Sequence, residues 1–200
     1  MFRWFLLFFL LNSLLHANAI DLKSSSKLHP GLELNPLSIL TLGDTTFFLS
    51  TTFSLFDPKN NAEIAMPILW IKEKRSLNYS QNYHNIVYDY DESLLTIDLQ
   101  YRKYLRSLEN GFYFCGFTRY CFIKGKLRYE NSIQKTVKFG IGTGLGYRFL
   151  PKESKNFYYG FSFNIGRYYG GENDIYDDPF FINDGPYFMD IDFFKFGYIF

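Results

Sequence analysis

The stretch from Lys135 to Phe149, KTVKFGIGTGLGYRF, decides how this chain folds. Val137, Phe139, Ile141, Thr143, Leu145, Tyr147 and Phe149 alternate with Lys138, Gly140, Gly142, Gly144, Gly146 and Arg148. Residues two apart share one face of a strand, so one face is a wall of bulky groups and the other is nearly empty, with a cation at each end. A sandwich in water would bury the bulky face and set polar side chains, not glycines, on the other. A small closed barrel whose bulky face meets lipid needs the reverse, a narrow interior lined by small or polar residues.

The alternation recurs on both sides of this stretch. Phe157 to Tyr169 sets Tyr159, Phe161, Phe163 and Ile165 against Tyr158, Gly160, Ser162, Asn164 and Gly166, and Leu94 to Leu105 sets Leu95, Ile97, Leu99 and Tyr101 against Thr96, Asp98, Gln100 and Arg102. In Phe112 to Ile123, the parity that keeps Arg119 off the lipid face also turns Cys115 and Cys121 inward; Arg or Lys facing lipid near the midplane costs about 2–4 kcal/mol. Thr45 to Phe56 opposes Phe47, Leu49, Thr51, Phe53 and Leu55 with Thr46, Phe48, Ser50, Thr52 and Ser54. Ala62 to Lys72 is more uniformly apolar, and Pro67 inside it predicts a bulge or strand end, because a closed barrel has no free edge for a residue lacking N–H. Gly31 to Leu42, with Pro36 inside it, is the weakest strand. With the C-terminal strand these make eight. The links at Asp57 to Asn61, Ser107 to Asn110 and Leu150 to Asn156 are short. On the other rim Gly43-Asp44 is a tight turn, while Glu73 to Ser93, Lys124 to Gln134 and Gly170 to Pro186 are long. The expectation is an all-β, eight-stranded antiparallel up-and-down transmembrane β-barrel over residues 31–200, with both termini on the short-turn side.

Composition agrees. The 17 Tyr and 24 Phe against 3 Met favour strands over helices. Net charge is +1, which leaves no positive field to attract nucleic acid. No apolar run reaches the roughly 18 residues of a membrane-spanning helix. Arg3, the apolar run from Trp4 to Leu15 and the small-x-small pattern Ala17-Asn18-Ala19 predict a signal peptide over residues 1–19. Its removal takes away Arg3 and leaves equal numbers of acidic and basic residues. Cys115 and Cys121 lie six positions apart, roughly 20 Å along a straight strand, whereas bridging needs Cα atoms within about 7 Å. Two buried thiols are expected. His16, His29 and His84 are isolated and form no zinc pattern.

At the C-terminus Phe200 follows Tyr198, Phe196 and Phe194 at period two. This resembles the closing signature of Gram-negative outer-membrane β-barrels, and the size and strand count over residues 31–200 resemble the eight-stranded OmpA/OmpX-type barrels. The resemblance implies a bacterial outer-membrane location, a periplasmic leader at residues 20–30, and recognition of Phe194, Phe196, Tyr198 and Phe200 by the outer-membrane barrel assembly machinery. Carried backwards, the parity would set Asp190 and Asp192 on the lipid face. A bulge near Phe193-Phe194 turns them inward with Lys195. The alternative is a soluble lipocalin-like barrel whose last strand ends in Phe and which binds an apolar ligand.

The inferred interior collects a polar cluster of Asp98, Gln100, Arg102, Arg119, Lys138, Arg148, Asn164 and Lys195, joined by Asp190 and Asp192. An eight-stranded barrel is just wide enough for side chains to fill, so these groups are expected to pair as a plug, with a narrow porin-like channel as the alternative. The segment 73–93 follows Lys72 with Glu73, Lys74 and Arg75 and carries Tyr79, Tyr83, His84, Tyr88 and Tyr90, a composition suited to an extracellular partner. Ser80, His84 and Asp89 could be read as the triad of a lipid-modifying enzyme, but they lack a nucleophile elbow. Glu172, Asp174, Asp177, Asp178 and Asp184 are oxygen-rich without the ligand spacing of a calcium loop. Lys124, Lys126, Arg128 and Lys135 suit the phosphates of lipopolysaccharide. The reading is a non-enzymatic envelope protein in contact with outer-membrane lipid, with no cofactor, metal or catalytic residue.

Overall fold

The computed structural model describes residues 27–35, 46–81, 84–106, 108, 110–127, 133–151, 156–170 and 186–200. The expected signal peptide, most of the leader, the Gly43-Asp44 turn, Arg128 and the acidic residues from Glu172 to Asp184 lie outside them. Strands β1 His29–Leu34, β2 Thr46–Asp57, β3 Ala62–Gln81, β4 His84–Tyr104, β5 Asn110–Leu127, β6 Ile133–Phe149, β7 Phe157–Tyr169 and β8 Tyr187–Ile199 follow one another in chain order. Each pairs antiparallel with its neighbour, and β1 pairs with β8, so the eight strands close as an all-β up-and-down barrel. The seam is sealed from Gly31 opposite Ile199 to Leu34 opposite Phe196, and the Phe200 N–H donates to the Pro30 carbonyl at 2.9 Å. β1 therefore starts at His29, two residues earlier than expected.

Polarity is inverted from that of a soluble protein. Ile64, Leu99, Tyr101, Phe112, Phe114, Tyr120, Val137 and Ile141 are all more than half exposed on the outside, while Glu33, Glu63, Asp98, Arg102, Arg119 and Arg148 are buried within. The glycine face of β6 does look inward, but it is not empty. Gly142 lies opposite Phe117 and Gly146 opposite Tyr113, and a Cβ at either glycine would overlap the facing ring. Gly166 and Gly197 make the same room for Phe188 and Tyr158. Each glycine is thus a seat for an aromatic side chain of the adjacent strand, a cross-strand device that fills the interior and fixes register.

Three expectations need correction. The segment 73–93 is not a loop: β3 and β4 continue through it as a hairpin, paired from Glu73 opposite Glu92 to Gln81 opposite His84. Likewise β5 and β6 run on into 124–134, with Lys126 opposite Ile133. Polar residues mark these stretches as outside an apolar band, but cross-strand pairing extends them as sheet all the same. Pro67 produces neither a bulge nor a strand end. Its pairing with Thr52 of β2 is kept, and toward β4 the ladder skips Met66 and Pro67 while Ala65–Gln100 and Ile68–Ile97 hold one register. The missing N–H is absorbed as a local gap on one side. The irregularity at the C-terminus lies where charge parity demands it: Gly160 faces Lys195 and Ser162 faces Asp192, so Phe193 and Phe194 together oppose Phe161. Both phenylalanines are exposed.

Candidate functional site in the barrel interior

The interior charges form two connected layers. Near the short-turn rim, Arg102 of β4 and Arg148 of β6 meet Glu33 of β1 and Glu63 of β3. Arg102 Nη1 donates to Glu33 Oε1 at 2.9 Å and to Glu63 Oε1 at 3.0 Å. Arg148 Nη2 donates to Glu63 Oε2 at 2.6 Å and to Glu33 Oε1 at 3.3 Å. The Tyr104 hydroxyl donates to Glu63 at 2.6 Å and the Tyr158 hydroxyl to Glu33 at 3.0 Å. Aromatic faces close the layer, with the Arg148 guanidinium 4.2 Å from the Tyr158 ring centroid and 4.5 Å from that of Phe56. Arg102 and Glu63 have no solvent exposure. Charges this deep are tolerated because each is paired and hydrogen-bonded.

The second layer stands further toward the long-strand rim. Arg119 of β5 clasps Asp98 of β4 with both Nε and Nη2 at 2.7 Å and bonds Asp190 of β8 as well. Its guanidinium lies 4.2 Å from the Phe188 centroid. Lys195 pairs with Asp192 at 3.0 Å, and Asp192 also accepts from Asn35 and Ser162, each at 2.9 Å. Gln100 joins the layers, accepting from Arg102 Nε at 3.0 Å and donating to Asp98 at 3.5 Å. A cavity of about 310 Å³ lies beside the second layer, between Phe48, Leu69 and Leu94 and the charged groups Asp98, Arg119, Asp190, Asp192 and Lys195.

Every interior residue singled out from the sequence is buried or half-buried inside: Asp98, Arg102, Arg119, Lys138, Arg148, Asn164 and Lys195, with Asp190 and Asp192. They do not converge on one point. Lys138 is buried with its Nζ 6.0 Å from the Tyr168 ring centroid. Asn164 accepts from the Cys115 thiol at 3.5 Å. Cys115 and Cys121 are buried free thiols. What the sequence reading missed is the pair of carboxylates, Glu33 and Glu63, that anchor the deeper layer. Glu33 lay in the weakest strand and Glu63 at the edge of an apolar one. The signal was an imbalance: five interior cations, Arg102, Arg119, Lys138, Arg148 and Lys195, stood against three carboxylates, a surplus that a low-dielectric interior does not support.

Ser80, His84 and Asp89 are not gathered by the register, since His84 and Asp89 sit five positions apart on β4, about 16 Å along the strand. Among the described residues no three His, Cys, Asp or Glu side chains are grouped to hold a metal ion. The C-terminal residues Phe194, Phe196, Tyr198 and Phe200 make a run of ring contacts, Phe194 to Phe196 at 5.0 Å and Tyr198 to Phe200 at 5.1 Å. Compared with known proteins, the chain matches no family, no curated protein and no solved structure.

Proposed function

We propose that this chain is an integral outer-membrane β-barrel of a Gram-negative cell, exported by its N-terminal segment and assembled through its C-terminal aromatic strand. On this reading it serves non-enzymatically, as an envelope protein presenting the β3–β4 hairpin outward. The inverted polarity carries the proposal: apolar side chains stand exposed on the outside and paired charges fill the inside. A band of exposed apolar groups on this scale is an aggregation hazard in water and a requirement in lipid. The charged interior counts against a soluble barrel built to hold an apolar ligand. The two interior layers favour a structural plug over a channel, and the β3–β4 hairpin supplies the projecting surface for a partner.

The test is gel migration of the detergent-extracted membrane fraction, boiled and unboiled, for the full chain and for a version lacking Phe200. A membrane barrel migrates differently after boiling, and loss of Phe200 lowers the amount assembled. Recovery in the soluble fraction with no heat-dependent shift would sink the proposal.

A further inference from the structure

The apolar outer face of β3 to β6 stops abruptly toward the long-strand rim. Trp70, Leu95, Phe122 and Val137 lie opposite one another in one row across these four strands. Two positions further along, the next outward row is Lys72, Ser93, Lys124 and Lys135, and the one beyond is Lys74, Asp91, Lys126 and Ile133. Lys72, Lys74, Lys124 and Lys135 are exposed. Strand spacing puts Lys124 and Lys135 about 5 Å apart at the backbone and Lys72 about 10 Å from Lys124. Toward the opposite rim the outer face of β5 to β7 ends, among the described residues, in Phe112, Tyr147 and Tyr159 and not in a row of lysines.

Lysines placed directly opposite each other across a ladder repel, and the first lysine row contains no carboxylate. An anion resting between them converts that repulsion into shared charge-assisted hydrogen bonds. We infer that Lys72, Lys124 and Lys135, with Lys74 and Lys126 beyond, hold the phosphate of an anionic membrane lipid. Its acyl chains lie along Trp70, Leu95, Phe122 and Val137. The adjacency of a phosphate-binding row to an apolar row selects an amphiphile over free phosphate. Flexible lysine stems lie along the barrel while their ammonium groups reach the headgroup. This inference rests on the membrane reading above.

The experiment places the barrel in phosphatidylcholine vesicles containing lipid A, extracts it gently and counts bound lipid by native mass spectrometry. The variants are Lys72→Gln/Lys124→Gln/Lys135→Gln and, at the opposite rim, Lys59→Gln/Lys103→Gln/Arg106→Gln, which removes the same charge. The wild type and the opposite-rim variant retain lipid A, and the first variant retains on the order of tenfold less. With dephosphorylated lipid A the wild type itself loses retention to the same degree, a result independent of how any variant folds. Equal retention by the first variant when it shows a normal heat-dependent gel shift, or equal retention of dephosphorylated lipid by the wild type, overturns the inference. Failure of the wild type to insert at all overturns the membrane reading; insertion without phosphate selectivity overturns only this one.

Discussion

At the scale of single residues, the interior is held by groups that cannot be removed one at a time. Glu63 accepts from Arg102, Arg148 and Tyr104 with no solvent exposure, so Glu63→Gln leaves two buried guanidinium groups short of an anion. Breaking a buried pair this way costs about 3–5 kcal/mol, whereas removing both partners costs much less. The urea midpoint of the folded barrel should fall strongly for Glu63→Gln and recover most of the loss in Glu63→Gln/Arg148→Met; additive losses would show that the charges do not act together. Glycine is tested by contrast. A Cβ at Gly144 would meet the Phe163 carbonyl at 2.6 Å, backbone that cannot swing aside, while at Gly116 it meets nothing within 4 Å. Gly144→Ala is expected to destabilise by roughly 1–3 kcal/mol and Gly116→Ala to be near neutral in the same unfolding measurement.

At the scale of elements, β8 is the strand whose register matters most, because it carries interior charge and closes the seam. Phe193 and Phe194 bulge together opposite the single Phe161, and the bulge lets Asp190 and Asp192 share the inner face with Lys195, which lies three positions beyond Asp192 and pairs with it. Deleting Phe193 alone leaves Phe194 opposite Phe161 in a regular ladder with Asp190, Asp192 and Lys195 still on the inner face, whereas deleting both Phe193 and Phe194 makes Lys195 the direct neighbour of Asp192 and flips one side of the strand. In the double deletion either Asp190 and Asp192 are forced outward or the seam to β1 slips. The double deletion should abolish the heat-dependent gel shift while deletion of Phe193 alone keeps it; a double-deletion variant that folds normally would show that the inward facing of these charges is dispensable. The β3–β4 hairpin continues from Glu73 opposite Glu92 to Gln81 opposite His84, and its lower part pairs on with β5 as far as Tyr90 opposite Leu127.

At the scale of the whole molecule, the plug proposed above makes the two layers a partition. The deeper one joins β1, β3, β4, β6 and β7 through Glu33, Glu63, Arg102, Arg148, Tyr104 and Tyr158, and its charges balance. Paired side chains filling the cross-section fit the narrow bore of eight strands and the plug proposed above. Purified barrel in a planar bilayer is expected to give no discrete conductance steps. Stepwise currents from the wild type would show that the layer opens.

The sequence by itself determined the architecture. Period two over eight segments, glycines opposite bulky residues, and the need to keep Arg119, Asp190 and Asp192 on one side were enough to set strand count, facing and the position of the bulge. These are local properties, because a one-residue shift moves every side chain to the other face. Tertiary structure alone decided which charges meet. Glu33 and Arg148 are 115 positions apart, and no spacing along the chain links them. Closure brings β1 within reach of β4 and β6 across the bore, and only then does a glutamate in a weak strand become the partner of two arginines. Closure and cross-strand pairing likewise turned the polar stretch 73–93 into sheet and set Lys72, Lys124 and Lys135 in one row, because ladder pairing joins residues that are distant in the chain.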